Sequence, residues 1–260
     1  MIRRALVAFG ALVALGFLAL PMIAIFARVS PAKLVAQLSN PVVTNALVVS
    51  LKTTVIAQVL ILVFGTPAAY ALARHFRGRG LLVTLVELPL VLPPAVAGIG
   101  LIAAFGRFGL LHTSIAFTQT AVVLAVAFVS SPLYVRAAIA AFETVDKNLV
   151  AASRTLGAGP VKTFFRIELP LARSGLAAGE ALAFARGLGE FGATIMFAGS
   201  LPKVTQTLPL AVYSAFDVNF DVALAIGALL VVISAALLII LKWLASSSTS
   251  RFPFALSTSS

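Results

Sequence analysis

The sequence predicts an all-α membrane protein of six transmembrane helices, with the N and C termini both in the cytoplasm. Three observations predict it. Of 260 residues, 61% are hydrophobic and 10% charged, with a mean hydropathy of +1.10, whereas soluble domains run at about 45–50% apolar and about 25% charged. Six apolar runs reach the roughly 20 residues that cross about 30 Å of hydrocarbon. The net charge of +11 is spread unevenly around those runs, so it reports orientation in a membrane and not a nucleic-acid partner. With no Cys and only His75 and His112, thiolate metal centres, redox pairs and disulfides are excluded, and neither a metal site nor a catalytic set is expected.

The first span, 5–27, follows Arg3 and Arg4 as a signal peptide would. Its apolar run exceeds the roughly 7–15 residues of a signal core, and Ile25 breaks the small-x-small cleavage pattern, so it reads as an uncleaved anchor. The other spans are 45–72, 81–105, 118–140, 171–192 and 220–244. With the N terminus inside, Arg3, Arg4, Arg74, Arg77, Arg79, Arg136, Lys147, Arg154, Lys162, Arg166, Arg173, Lys242 and Arg251 face the cytoplasm, and Arg28, Lys33, Arg107 and Lys203 face outside. That is thirteen against four, with Lys52 and Arg186 within spans, the asymmetry that positive-inside orientation requires. The fifth span is the least hydropathic, but omitting it would put Lys242 and Arg251 on the wrong side. Residues 1–245 thus read as one membrane domain and 246–260 as a polar tail.

Within the spans, Pro67, Pro89, Pro93, Pro94 and Pro132 lie at membrane depth. Each removes a backbone donor, so Leu88-Pro89-Leu90-Val91-Leu92-Pro93-Pro94 is expected to be a broken helix, buried against neighbours or lining a path. The fifth span carries Gly175, Gly179, Ala183 and Gly187 at four-residue steps, a row of small side chains that lets another backbone come close. Its other faces hold Glu180, Arg186 and Glu190, costly in a bilayer unless paired or facing water. Arg186 and Glu190 are one turn apart, the spacing of an ion pair. Lys52 and Glu87 lie near enough to span ends to reach an interface. Ser131, Arg186, Glu190 and Thr194 are the candidate lining residues of a path, and a purely structural role is open for each.

The segment 142–170 is the one long loop, placed in the cytoplasm. Asp146 is a good N-cap, while Leu149, Ala152, Ser153 and Leu156 share a face. Arg154 suits the last turn, and Gly157 suits a left-handed C-terminal cap. Pro160 is placed to start a second short turn leading through Ile167 to the membrane. The expectation is a helix–turn–helix under the bilayer, offering a small-residue surface and a cationic rim. Gly157-Ala158-Gly159-Pro160-Val161-Lys162-Thr163 ends like a phosphate-binding loop, but Val161 stands at a glycine position and no strand precedes it, so no nucleotide site is expected.

The run Ala151-Ala152-Ser153, then Gly157, nine residues, and Ile167-x-Leu169-Pro170 resembles the cytoplasmic signature Glu-Ala-Ala-x3-Gly-x9-Ile-x-Leu-Pro of ABC importer permeases. Ala151 stands where that family usually has Glu, and Ser153 where it has a second Ala. Leu88 to Gly98 with Phe105-Gly106-Arg107, and Gly187-Leu188-Gly189-Glu190-Phe191-Gly192-Ala193-Thr194-Ile195 through to Ala211, resemble the molybdate permeases of the molybdate/sulfate oxyanion importers. The resemblance spans roughly 45–245. It implies the type I importer permease fold, and a coupling helix formed by Asp146, Leu149, Ala151, Ala152, Ser153, Arg154, Leu156 and Gly157, with Ile167, Leu169 and Pro170 behind it. The implied partners are a second copy of the chain, two ABC ATPase subunits that bind the ATP and Mg, a periplasmic or lipid-anchored oxyanion-binding protein, and membrane lipid. The chain itself would hold no cofactor and catalyse nothing. Sulfate, thiosulfate or tungstate remain alternative cargoes. A secondary transporter driven by an ion gradient is the rival from another class, and it predicts inverted halves that residues 1–130 and 131–260 do not display. A non-transporting assembly protein would explain the small-residue row but not the helix–turn–helix.

Overall fold

The structure is a computed structural model that describes residues 2–247, with Ile2, Arg3, Leu34, Leu38 and 241–247 as backbone only. Arg251 and most of the expected polar tail, 248–260, lie outside the described residues. Every regular element is helical. In chain order they are α1 (Ile2–Arg28), α2 (Pro31–Leu38), α3 (Pro41–Leu60), α4 (Thr66–Leu72), α5 (Arg79–Val91), α6 (Pro94–Phe105), α7 (Gln119–Glu143), α8 (Lys147–Thr155), α9 (Pro160–Thr163), α10 (Leu169–Leu188), α11 (Gly192–Ala198), α12 (Leu208–Phe216) and α13 (Phe220–Ser247). Two π-turns, Ile61–Gly65 and Phe164–Glu168, join α3 to α4 and α9 to α10.

Among the described residues, Arg4–Arg28, Pro41–Leu72, Gln119–Glu143 and Phe220–Ile240 are long and apolar enough to cross a membrane. The α5–α6 pair makes a fifth if taken as one span, and it is bent by 114°. The bend falls at Leu92-Pro93, where the chain turns extended, as expected of three prolines in six residues. The expected span 171–192 folds as α10 but stops at Leu188. It is not among the apolar spans because Arg173, Glu180 and Arg186 interrupt it; protein, more than lipid, surrounds its small-residue side.

Among the described residues two compact units emerge, 2–50 with 200–234 and 51–199 with 235–247. In the first, Val43, Ala46, Leu208, Ala211 and Ile226 form a small core, and the Ser50 hydroxyl accepts a 2.7 Å bond from Leu208 N, supplying the cap that Thr207 does not. In the second, α7 is the axis. One cluster packs Val122, Val126 and Val129 against Leu101, Ala193 and Phe197; another packs Tyr134, Ala138 and Phe142 against Ile61, Leu72 and Leu176. The glycine row of α10 lies on α7. A Cβ added at Gly175 would come within 2.5 Å of Ala141 Cβ, and one at Gly179 within 2.6 Å of Ala137 Cβ. The row of small residues is thus a helix–helix seam.

Each π-turn ends two residues before a proline, Pro67 or Pro170. A proline ring collides with the carbonyl four residues back and cannot donate to it. Widening the preceding turn, as in the Leu169 N to Phe164 O bond, moves that carbonyl aside and lets the helix continue. Pro67, at membrane depth, thus sits in a run that stays helical from Pro41 to Leu72.

Candidate functional site: the 142–170 loop and the α10–α11 break

The Asp146 backbone is extended, and its carboxylate accepts a 2.8 Å bond from Asn148 N, starting α8. At the other end, Gly157 N bonds Arg154 O at 2.9 Å and Ala158 N bonds Ser153 O at 3.1 Å. This paired closure requires a left-handed residue at its first position. Gly157 has φ +82°, a conformation that costs any residue with a Cβ. Both helix ends are therefore fixed by local chemistry.

Ser153 Oγ lies 3.2 Å from Thr163 Oγ1, tying α8 to α9. Leu149, Ala152, Ser153 and Leu156 form one wall of a groove of about 790 Å3, and Ile167 and Pro170 with Lys162 and Arg166 form the other. Leu156 is 87% exposed and Leu149 48%, so the groove presents apolar surface that nothing among the described residues covers. Ala151 is exposed on α8. Leu169 packs instead against the cluster of Tyr134 and Phe142, and Arg154 faces a different cavity. The structure thus gathers six of the residues expected here into one surface, with Asp146 and Gly157 as its end caps.

At the far end of α10 the helix breaks at Gly189 and restarts at Gly192. Arg186 Nη1 and Glu190 Oε2 pair at 2.7 Å, with 34% and 1% of their side chains exposed. Glu190 Oε1 accepts a 2.7 Å bond from Ala193 N. The carboxylate therefore spans the break, anchored to α10 by a cation and to α11 by a backbone donor. Thr194 is fully buried and its hydroxyl has no hydrogen-bond partner among the described residues. Ser131 lines a separate apolar cavity of about 520 Å3 with Phe64, Pro89 and Phe128. Those four residues are therefore not brought to one place. Lys52 donates to Gln119 at 2.9 Å and Arg136 pairs with Glu87 at 3.1 Å. Sequence reading missed Gln58: it is 4% exposed, its amide has no partner among the described residues, and its Nε2 would lie 3.1 Å from a Cβ on Gly187. An amide inside an apolar span was the available signal.

Residues 61–250 match the family described as "Binding-protein-dependent transport system inner membrane component". The chain belongs to that family. This permease is therefore a multi-pass inner-membrane component of an ABC transporter. It is 45% identical over 228 residues to "Molybdenum transport system permease protein ModB" of Mycobacterium tuberculosis (strain ATCC 25618 / H37Rv), covering 84% of this chain and 86% of that one. To the protein of the same name from Escherichia coli (strain K12) it is 42% identical over 218 residues, covering 80% and 95%. Its fold also resembles that in "Crystal structure of a bacterial ABC transporter involved in the import of the acidic polysaccharide alginate", with TM-score 0.69 and 16% identity over 95% of this permease and 97% of that chain.

Proposed function

We propose that this permease carries a tetrahedral oxyanion, molybdate, inward through an ATP-driven importer. The observation that carries the coupling part is the capped α8 beside its uncovered apolar groove, at the loop bearing the importer signature. The cargo follows from the relatives at 45% and 42% identity, whose names specify molybdenum transport. Residues 1–245 act as one permease domain with six crossings. α10, interrupted by charge and packed on α7, is the crossing that composition alone does not count, and both termini lie in the cytoplasm with the thirteen basic residues. Two copies pair, and each offers α8 to one of two ABC ATPase subunits, which bind ATP and Mg and do all the hydrolysis. An oxyanion-binding protein delivers cargo at the periplasmic face, and selectivity resides mainly there, since the four external Lys and Arg are few for capturing a dianion. A weak path of scattered polar groups such as Ser131, Arg186, Glu190 and Thr194 suits release, because strong ligands would trap the ion.

The test is uptake of labelled molybdate into proteoliposomes holding the permease, its ATPase and the binding protein. Uptake requires ATP and is matched poorly by sulfate. Uptake driven by a proton or sodium gradient without ATP would refute the class; equal uptake of sulfate or tungstate would refute the cargo.

A further inference from the structure

The groove uses only one side of α8. Against the other side lies a second cavity of about 790 Å3, into which Lys147 and Arg154 face from α8 while Arg74, His75 and Arg79 face it from the α4–α5 turn. Its two carboxylates are already matched. Glu143 pairs with Arg79, whose Nε also donates to Leu72 O at 2.6 Å. Glu168 accepts a 2.7 Å bond from the Tyr70 hydroxyl, which in turn accepts from Arg74, and that guanidinium lies 4.6 Å over the Tyr70 ring. Four Lys and Arg against two Glu leave an excess of +2 in the lining. Lys147 and Arg154 have no ion-pair partner among the described residues. Basic groups converging on a concave wall from two segments concentrate anions; the unpaired fork of Arg154 matches an oxygen pair of a tetrahedral anion, and the Lys147 ammonium adds a second charge beside it.

Position narrows the ligand. Leu72 ends the span Pro41–Leu72 and Glu143 ends Gln119–Glu143, so the cavity opens at the level where spans leave the hydrocarbon and phosphorylated headgroups lie. The volume exceeds a bare ion and accommodates a hydrated one or a headgroup. A docked protein helix, by contrast, needs the apolar lining found on the opposite side of α8.

We propose that this cavity binds a phosphate-type tetrahedral oxyanion, supplied either as a free ion or as an anionic lipid headgroup, and that the bound anion ties α8 to the α4–α5 turn. The binding stands on the cavity alone; its consequence for coupling rests on the docking role of α8. The test uses the complete transporter in phosphatidylcholine nanodiscs, without nucleotide or cargo, so that its outcome is separate from that of transport. Its thermal midpoint is followed while inorganic phosphate is titrated and, in a parallel series, while phosphatidylglycerol replaces phosphatidylcholine. A saturable rise in either series supports the site and names the source. The double variant Lys147→Gln/Arg154→Gln raises the half-saturating concentration roughly tenfold or more, the loss expected for two charge-assisted contacts. Lys147→Gln alone, at an exposed position, keeps the fold and shows a smaller shift in the same direction, and Lys147→Arg restores the wild-type value. Absence of a saturable rise in both series overturns the proposal and leaves the basic wall to carboxylates of the docked ATPase. Half-saturation unchanged in the glutamine variants also overturns it.

Discussion

The α10–α7 seam makes a quantitative prediction at Gly179. Its new Cβ in Gly179→Ala would sit 2.6 Å from Ala137 Cβ and 3.3 Å from Tyr134 O, whereas carbon–carbon contacts are comfortable at about 3.5–4.0 Å. The obstacle is a methyl fixed to backbone, not the end of a flexible side chain, so α10 must move away from α7 by about 1 Å locally. Alanine gains about 1 kcal/mol over glycine in helix propensity, and overpacking costs about 1–3 kcal/mol, leaving a net loss of roughly 0–2 kcal/mol. Gly100 on α6 is the control, because a Cβ there meets nothing within 4 Å; Gly100→Ala shows only the propensity gain. Unfolding in mixed detergent micelles should therefore separate the two variants by about 1–3 kcal/mol, the clash alone. Ala137→Gly removes the colliding methyl, and the cycle Gly179→Ala, Ala137→Gly and their combination should return a favourable coupling of about 1–3 kcal/mol. Equal stability of Gly179→Ala and Gly100→Ala, or a coupling near zero, would refute the seam.

The other predictions concern the loop and the break. Gly157→Val forces a β-branched residue to φ +82° and should cost about 1–3 kcal/mol in local strain, uncoupling ATP hydrolysis from transport; Gly157→Asn, which tolerates that conformation, should retain coupling. A Cβ there meets nothing within 4 Å among the described residues, so equal defects in both variants would refute the strain argument. Asp146→Ala removes the cap on Asn148 N, weakening the first turn of α8 by about 1 kcal/mol. Hydrogen exchange at 147–150 should accelerate about fivefold or more while α10 is unchanged. Arg186→Met leaves the Glu190 carboxylate buried with only Ala193 N as partner and should cost roughly 2–4 kcal/mol in thermal stability, whereas Glu190→Gln keeps an acceptor for that amide and costs about 1 kcal/mol. If the pair only joins α10 to α11, uptake per folded permease stays constant in both; a fall in uptake at unchanged stability gives it a path role.

What was legible in the sequence is what the chain decides within a few residues. Asp146 and Gly157 bracket α8 because a carboxylate can reach the second amide beyond it and only a residue without a Cβ sits easily at φ +82°. Leu92-Pro93-Pro94 breaks its helix because two adjacent residues lose their donors. Arg186 and Glu190 meet because they are one turn apart on one helix. The glycine row predicted a close neighbour, but that the neighbour is α7, met at Ala137 and Ala141, is a long-range fact with no local signal. The same holds for Gln58, whose burial depends on what packs across it. Pro67 and Pro170 show the limit from the other direction: sequence registers the lost donor, while a widened preceding turn, stabilised by packing, lets the helix run on.

The sequence suggests one presenting face on α8, and the structure gives it two. The small-residue surface and the cationic rim are not one presentation: at 3.6 residues per turn Leu149, Ala152, Ser153 and Leu156 lie on nearly the opposite side of α8 from Lys147 and Arg154. The Ser153 contact to Thr163 fixes the rotation of α8 about its own axis. A one-residue shift of that contact would carry Arg154 toward the groove and Ala152 out of it. The end caps set where α8 starts and stops, and this single hydroxyl pair helps set which chemistry faces which neighbour. Ser153 stands where the family signature has alanine, so its hydroxyl adds to the loop a registration point that an alanine side chain cannot provide.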